Sequence, residues 1–218
     1  MSFDVSYAVS ILPFLLEGLK YTMLIAVLGL LIGFAIGVLI GISRTTHNRA
    51  LNAIASFYVE IIRGTPLMVQ AIYIYFALPM IFGFNISALA AGIIAISVNS
   101  GAYISEIVRG AIQAVPKGQT EAGMVLGMQS IQIMMHITFP QAFRMMIPSL
   151  GNQFIISLKD TSILTIIGVG EIMRQGTMLV SASFKPVEIY TAVALIYLLS
   201  IMVISRLLKL LEKRMGLL

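Results

Sequence analysis

The sequence predicts an all-α integral membrane protein with five transmembrane helices. Three observations carry that expectation: the composition, the length of the uncharged runs, and a lopsided distribution of basic residues. Of 218 residues, 59% are apolar and 11% charged, where a soluble domain has roughly 45–50% and 25%. Mean hydropathy is +0.99. A water-soluble enzyme, a nucleic-acid-binding domain and a disordered tail are excluded on these figures. No cysteine is present, so disulfides, thiolate metal sites, iron–sulfur clusters and cysteine nucleophiles are excluded as well. The two histidines, His47 and His136, both fall in predicted loops, so a bis-histidine haem at membrane depth is ruled out.

The uncharged runs place the helices. A span needs about 20 apolar residues, within a range of roughly 17–25. Tyr21–Ser43 is a run of 23 residues without a charge, and Gly64–Ser105 is one of 42, enough for two spans. Gly83, Phe84, Asn85 and Ser87 supply a turn near its centre. Met145–Gly170 is interrupted only by Lys159 and Asp160, and Ile189–Ser205 closes the series. The expected helices are therefore 19–43, 65–83, 86–106, 146–170 and 187–207. The runs are long and continuous, where a β-barrel would show short alternating ones. No cleavable signal peptide is expected: residues 1–16 lack a basic start and carry Asp4 and Pro13. The chain reads as one domain, 1–218, with residues 1–18 at the interface and a long cytoplasmic loop at 107–140.

Charge sets the orientation. Arg44, Arg49, Arg63, Arg109, Lys117, Arg144, Arg206, Lys209, Lys213 and Arg214 fall on one side of this topology, and Lys20, Arg174 and Lys185 on the other. Positive loops stay inside, so the N-terminus is expected outside and the C-terminus in the cytoplasm. The basic isoelectric point near 9.6 follows from topology and needs no nucleic acid partner.

The first span carries Gly29, Gly33, Gly37 and Gly41 on a single stripe. In lipid such a stripe lets two backbones approach closely, so it should face protein. At the second span, Pro66 suits a helix start and Thr65 a cap, and Pro79 should kink or end the helix. Lys159 and Asp160 are expected near the middle of the fourth span, where a charge costs about 2.5–3.5 kcal/mol on insertion scales. Asn152, Gln153, Ser157, Thr161 and Ser162 surround them, and the third span places Ser97, Asn99, Ser100 and Gly101 at comparable depth. Two polar helices at one depth suggest a water-filled or ligand-lined cavity. The alternative reading of the charged pair is a structural ion pair that stitches helices together.

The loop between the third and fourth spans is too long to be a mere connector. Pro116 suits a helix start and Gly127 a left-handed residue after a helix end. Ser130 suits the cap of a second helix, which should stop near Pro140. Met124, Val125, Leu126 and Met128 would then be exposed apolar residues, a docking surface for a partner.

Glu121-Ala122-Gly123, then Gly127, then Ile137-Thr-Phe-Pro140, resembles the EAA motif of ABC-importer permeases: E-A-A, three residues, G, nine residues, I-x-L-P. Gly123 stands in place of the last alanine, and Phe139 in place of the leucine. Arg63-Gly-Thr-Pro66, Asn99-Ser-Gly-Ala-Tyr103, Arg109-Gly-Ala-Ile112 and Lys159-Asp-Thr-Ser162 resemble the polar amino acid permeases within that group, so the likeness spans nearly the whole chain. It implies a type I importer permease in the bacterial cytoplasmic membrane. It implies a pair of permease chains, homodimeric or mixed, served by two ATP-binding cassette subunits and an extracytoplasmic solute-binding protein. Glu121, Ala122, Gly123 and Gly127 would form the coupling helix that docks on the ATPase. ATP and magnesium would be bound by that partner and no cofactor by this chain, which has no G-x-x-x-x-G-K-[ST] sequence. The transported solute would be a polar amino acid of the arginine, histidine, lysine or glutamine class. Asp160 suits an ammonium or cationic side chain, and Asn99 and Ser97 suit a carboxylate. Lys159, Gln153, Ser162 and Gln70 complete the candidate substrate-binding set. An ion-coupled secondary amino acid transporter, using Lys159 and Asp160 as a proton relay, is the rival reading. An intramembrane hydrolase would need a serine with a histidine or lysine base at one depth, and only Lys159 beside Ser157 or Ser162 approaches that.

Overall fold

Four glycines fix how the first long helix packs. The computed structural model describes residues 3–46 and 48–216, so the expectation for His47 lies outside the described residues. A short helix α1 (Val5–Ser10), capped by the Asp4 carboxylate, leads into α2 (Leu12–Ser43). Helix α2 begins seven residues earlier than the charge pattern suggests. Pro13 sits in its first turn, where a missing N–H costs nothing. Residues 12–18 thus belong to the long helix. Gly29, Gly33, Gly37 and Gly41 are all buried along α2. They face Ile96, Ser100, Ile104 and Val108 of α6 (Ala88–Ala114), themselves four residues apart. A Cβ on Gly33 would stand 2.9 Å from the Ser97 carbonyl oxygen and 3.2 Å from the Gly101 nitrogen, backbone that cannot give way. Gly33→Leu should therefore cost more than about 3 kcal/mol of packing and abolish the monodisperse species on size-exclusion chromatography. Gly110→Leu, with nothing within 4 Å of its Cβ, should elute normally. A normal profile for the Gly33 variant would exclude a tight seam.

The segment after α2, expected as a loop, is the amphipathic helix α3 (Arg49–Gly64). The Asn48 side chain caps it, accepting from the amides of Ala50 and Leu51 at 3.1 and 3.2 Å. Leu51, Ile54, Phe57 and Ile61 form its exposed apolar stripe, a spacing near 3.6 that the charge count concealed. At Thr65–Pro66 the axis turns by 103° into Leu67–Phe82. That stretch comprises α4 (Leu67–Ile72), a π turn (Tyr73–Ala77) and α5 (Leu78–Phe82). Pro79 neither ends nor breaks the run. The wider π turn just before it shifts the hydrogen-bond register where Pro79 has no N–H to offer. Thr65 caps the end of α3 and not the start of α4: its hydroxyl donates to the Ile61 carbonyl at 2.9 Å.

After α6 come α7 (Lys117–Val125), α8 (Ser130–Ile133), a second π turn (Met134–Thr138) and α9 (Phe139–Asp160). Gln129, not Ser130, caps α8, in a reciprocal pairing with Gln132. The helix runs through Pro140 without stopping, again because a π turn precedes the proline. The expected helix 146–170 is not continuous. Helix α9 ends at Asp160 and a 3₁₀ stretch follows, Thr161–Ile167. The Thr161 hydroxyl donates to the Leu158 carbonyl at 2.7 Å, and the Ser162 hydroxyl to the Lys159 carbonyl at 2.8 Å. These side chains compete for the carbonyls of the last turn. Lys159 and Asp160 thus stand at a helix end and not in mid-helix.

Helices α10 (Ile172–Ser183) and α11 (Pro186–Arg214) complete the chain. Glu171, fully buried, caps α10. It accepts from the hydroxyls of Thr165 at 2.6 Å and Tyr197 at 2.9 Å, and from the amides of Met173 and Arg174. One carboxylate thereby pins the 3₁₀ stretch to both α10 and α11. Among the described residues there is no strand. Three helices are long and apolar enough to cross a membrane alone: Leu12–Ser43, Ala88–Ala114 and Pro186–Arg214. Among the described residues the bent pair Arg49–Gly64 and Leu67–Phe82 meets the same standard only when its two arms are taken together, as a broken span or a re-entrant loop. Helix α9 falls short of that standard because Gln141, Arg144, Asn152, Gln153, Lys159 and Asp160 dilute its apolar run.

Candidate functional site

The 103° break between α3 and α4 opens the wall of a cavity. Pro66 lacks an amide hydrogen and forces Thr65 into an extended conformation, φ −120° and ψ 141°. The last carbonyls of α3 are then left without helical partners. Gln70 on α4 meets them, its Nε2 donating to the carbonyls of Ile62 at 2.7 Å and Thr65 at 3.0 Å. The Gln70 oxygen accepts from Asn99 Nδ2 at 3.1 Å. Asn99 is thus tied to the break from the middle of α6.

The cavity has a volume of about 540 Å³, within the usual range for small-molecule sites. Three elements line it: the break, residues 63–67; Asn99 and Tyr103, one turn apart on α6; and Gln153, Ile156 and Asp160, along one face of α9. The structure therefore brings together Asn99, Gln153 and Asp160 from the sequence-derived set. Gln70 stands behind the wall, its donors spent on the helix break. Ser97 is buried and donates to the Ile93 carbonyl at 2.7 Å, away from the cavity. The Ser162 hydroxyl is turned back to its own helix, and Lys159 is exposed and outside the lining. Lys159 and Asp160 form no ion pair among the described residues.

Sequence reasoning missed Arg63 and Tyr103. The uncharged runs leave Arg63 in a loop, because α3 carries charges and is not one of them. The cap at Asn48 and the apolar spacing that follows are the signal that finds it. The Arg63 guanidinium lies over the Tyr103 ring, 5.4 Å from its centroid. Behind it sits Glu106, whose carboxylate meets three guanidiniums. Arg44 is 2.7 Å and Arg63 3.2 Å from Oε1, and Arg109 is 2.7 Å from Oε2. The cavity therefore has a cationic edge at Arg63 and an anionic one at Asp160. Among the described residues no three histidine, aspartate or glutamate side chains are grouped to hold a metal ion.

The second candidate region is α7. Glu121 and Ala122 are exposed, and Met124, Val125 and Leu126 are 58%, 88% and 79% exposed. Gly123 faces inward, where a Cβ would stand 2.8 Å from Ile133 Cγ1. That contact explains why glycine replaces the alanine of the motif. Gly127 has φ +79°, and the amide of Met128 closes on the Gly123 carbonyl at 3.0 Å, the hydrogen bond of a Schellman end. His136 lies in the π turn between α8 and α9.

A family profile described as "Binding-protein-dependent transport system inner membrane component" matches residues 29–217. The chain belongs to that family. This membrane component is 46% identical over 219 residues to the glutamine transport system permease protein GlnP of Escherichia coli (strain K12), covering all of both chains. It is 35% identical over 215 residues to the arginine transport system permease protein ArtQ of Bacillus subtilis (strain 168), covering 99% of this chain and 98% of that one. A solved structure titled "Crystal structure of an amino acid ABC transporter with histidines" superposes with a TM-score of 0.91 at 38% identity, covering 98% of this chain and 100% of the other. A structure of the MetNI methionine ABC transporter matches at a TM-score of 0.74 and 21% identity, a likeness of fold. The protein is thus an all-α permease subunit of an ABC importer, a multi-pass component of the bacterial inner membrane. It is not itself an enzyme, and ATP hydrolysis lies in the partner ATPase subunit. Membership of this family gives no support to the ion-coupled alternative.

Proposed function

We propose that the chain translocates a polar amino acid through the cavity at the α3–α4 break, driven by ATPase subunits that grip α7. The observation that carries this reading is the cavity itself, where Asn99, Gln153 and Asp160 converge in a space roomy enough for an amino acid. Asp160 takes the ammonium group of the amino acid, and the amides of Asn99 and Gln153 hydrogen-bond its polar atoms. Glutamine and arginine are the first solutes to test, given the names of the relatives. Gln70 positions Asn99 in place of touching solute, and the Ser97 hydroxyl is already committed. Lys159 and Ser162 flank Asp160 and tune the helix end it stands on.

Glu121, Ala122, Gly123 and Gly127 shape the docking helix. Helix α9 then acts as the rod between the two regions. Its 22 residues span about 33 Å at 1.5 Å per residue, from the π turn beside α7 to Asp160. In the proposed complex two permease chains, this one paired with itself or a related chain, meet two ATPase subunits and receive solute from an extracytoplasmic binding protein. ATP binding draws the coupling helices together and turns the cavity outward, and hydrolysis resets it. The whole chain, 1–218, works as one domain with the N-terminus outside, 107–140 facing the cytoplasm, and α9 serving as a further crossing.

The test is uptake into vesicles that hold the full complex, with ATP enclosed and binding protein outside. Radiolabelled glutamine, arginine, histidine and lysine are offered against leucine. At least one polar amino acid should accumulate only when ATP is present, and leucine should not. Accumulation of leucine to the same level would overturn the assignment.

A further inference from the structure

The three guanidiniums around Glu106 are not equivalent. Arg44 and Arg109 each hold a different carboxylate oxygen at 2.7 Å, and their side chains are 14% and 33% exposed. Arg109 adds a second bond through Nε at 3.0 Å. These two alone satisfy both oxygens of Glu106. Arg63 is the third, with the longest contact, 3.2 Å, on an oxygen already taken by Arg44, and at 45% it is the most exposed. It is also the one of the three that lines the cavity. It sits in the last turn of α3, just before the break, on the face of the Tyr103 ring. Asp160 lines the same cavity, and no ion pair joins it to Arg63 among the described residues. A cation and an anion held apart across one small cavity match the two ends of a zwitterion. A planar guanidinium is also the side chain best shaped to take a carboxylate by two parallel bonds.

We propose that Arg63 is the residue that takes the α-carboxylate of the amino acid, and that Glu106 parks it when the cavity is empty. The inference deepens the amino acid reading of the cavity and rests on it. Release costs little, because Glu106 keeps Arg44 and Arg109 when Arg63 turns away. Tyr103 gives the guanidinium a surface to slide across without losing contact. Occupancy of the cavity thus changes the charge balance at the cluster joining α2, α3 and α6, which separates empty from loaded states.

The test is equilibrium binding to the permease–ATPase complex in detergent, without binding protein, so that only the permease cavity selects. The probes are radiolabelled L-glutamine and L-arginine, each competed with its α-carboxamide, which keeps the ammonium and side chain but loses the negative charge. Wild type should bind the free acid at least about 30-fold more tightly than the carboxamide, the scale expected for losing one partner of a charged pair. Arg63→Gln should bring the two to equal affinity. Arg63→Lys, which keeps the charge without the fork, should leave a preference about tenfold smaller than wild type. It also serves if the glutamine variant fails to co-purify with the ATPase. Glu106→Asp, which shortens the parking contact, should tighten free-acid binding about threefold and leave the carboxamide unchanged. Full discrimination by both Arg63 variants overturns the inference while the cavity reading survives. No binding of either probe to wild type overturns the cavity reading and this inference with it.

Discussion

Asp160→Asn should abolish uptake while leaving the protein in the membrane and bound to its ATPase. The substitution keeps the shape of the side chain and removes only its charge. Asp160 contributes the anionic edge of a cavity whose other polar lining is amide, hydroxyl and guanidinium, so no other carboxylate there can replace it for an ammonium group. Losing one partner of a desolvated charge pair costs about 2–5 kcal/mol, which is roughly 30-fold or more in affinity. Insertion should be unaffected or slightly eased, because a neutral amide is cheaper to bring to membrane depth than a carboxylate. Vesicle uptake and membrane-fraction yield, measured on the same preparation, read both effects. Uptake at the wild-type rate would remove Asp160 from the solute path and return it to a structural role at the end of α9.

Glu121→Lys should separate the ATPase from the membrane subunit. Glu121 is exposed on α7 and makes no ion pair among the described residues, so the chain itself loses nothing by the change. Val125 and Leu126, one turn further on, present the apolar surface that needs covering. Reversing the charge at the rim of such a patch removes the complementarity that the proposed docking contact needs at Glu121. The readout is co-purification of the ATPase on a tag carried by the permease chain, with thermal melting of that chain as the folding control. Undiminished co-purification would place the docking contact elsewhere.

The class of fold was legible because long uncharged runs have few solutions in lipid. The glycine stripe was legible for a similar reason: four glycines at a spacing of four can be explained by one close neighbour, and α6 supplies it. The helix α7 was legible from its two ends, Pro116 and Gly127. Other features were hidden by charge. Helix α3 carries Arg49 and Arg63 at its ends and Glu60 within, so uncharged runs do not reveal it, nor the place of Arg63 beside the cavity. The prolines do not end their helices. Pro79 and Pro140 each follow a π turn, a local device that composition does not reveal. The polar stretch around Lys159 and Asp160 is visible in the sequence, but its division is not. Adjacent residues on a helix point about 100° apart, and only packing decides that Asp160 meets the cavity and Lys159 does not. Ser97 and Gln70 show the same limit from the other side, since their polar atoms are consumed by the Ile93 carbonyl and by the end of α3.

The central claim is that this membrane subunit moves solute only with force delivered from another chain. The direct measurement places the purified polypeptide alone in sealed vesicles, imposes a proton or sodium gradient, and follows radiolabelled glutamine and arginine. No concentrative uptake is expected until the ATPase subunits, ATP and binding protein are added. Gradient-driven accumulation by the chain alone would contradict the account.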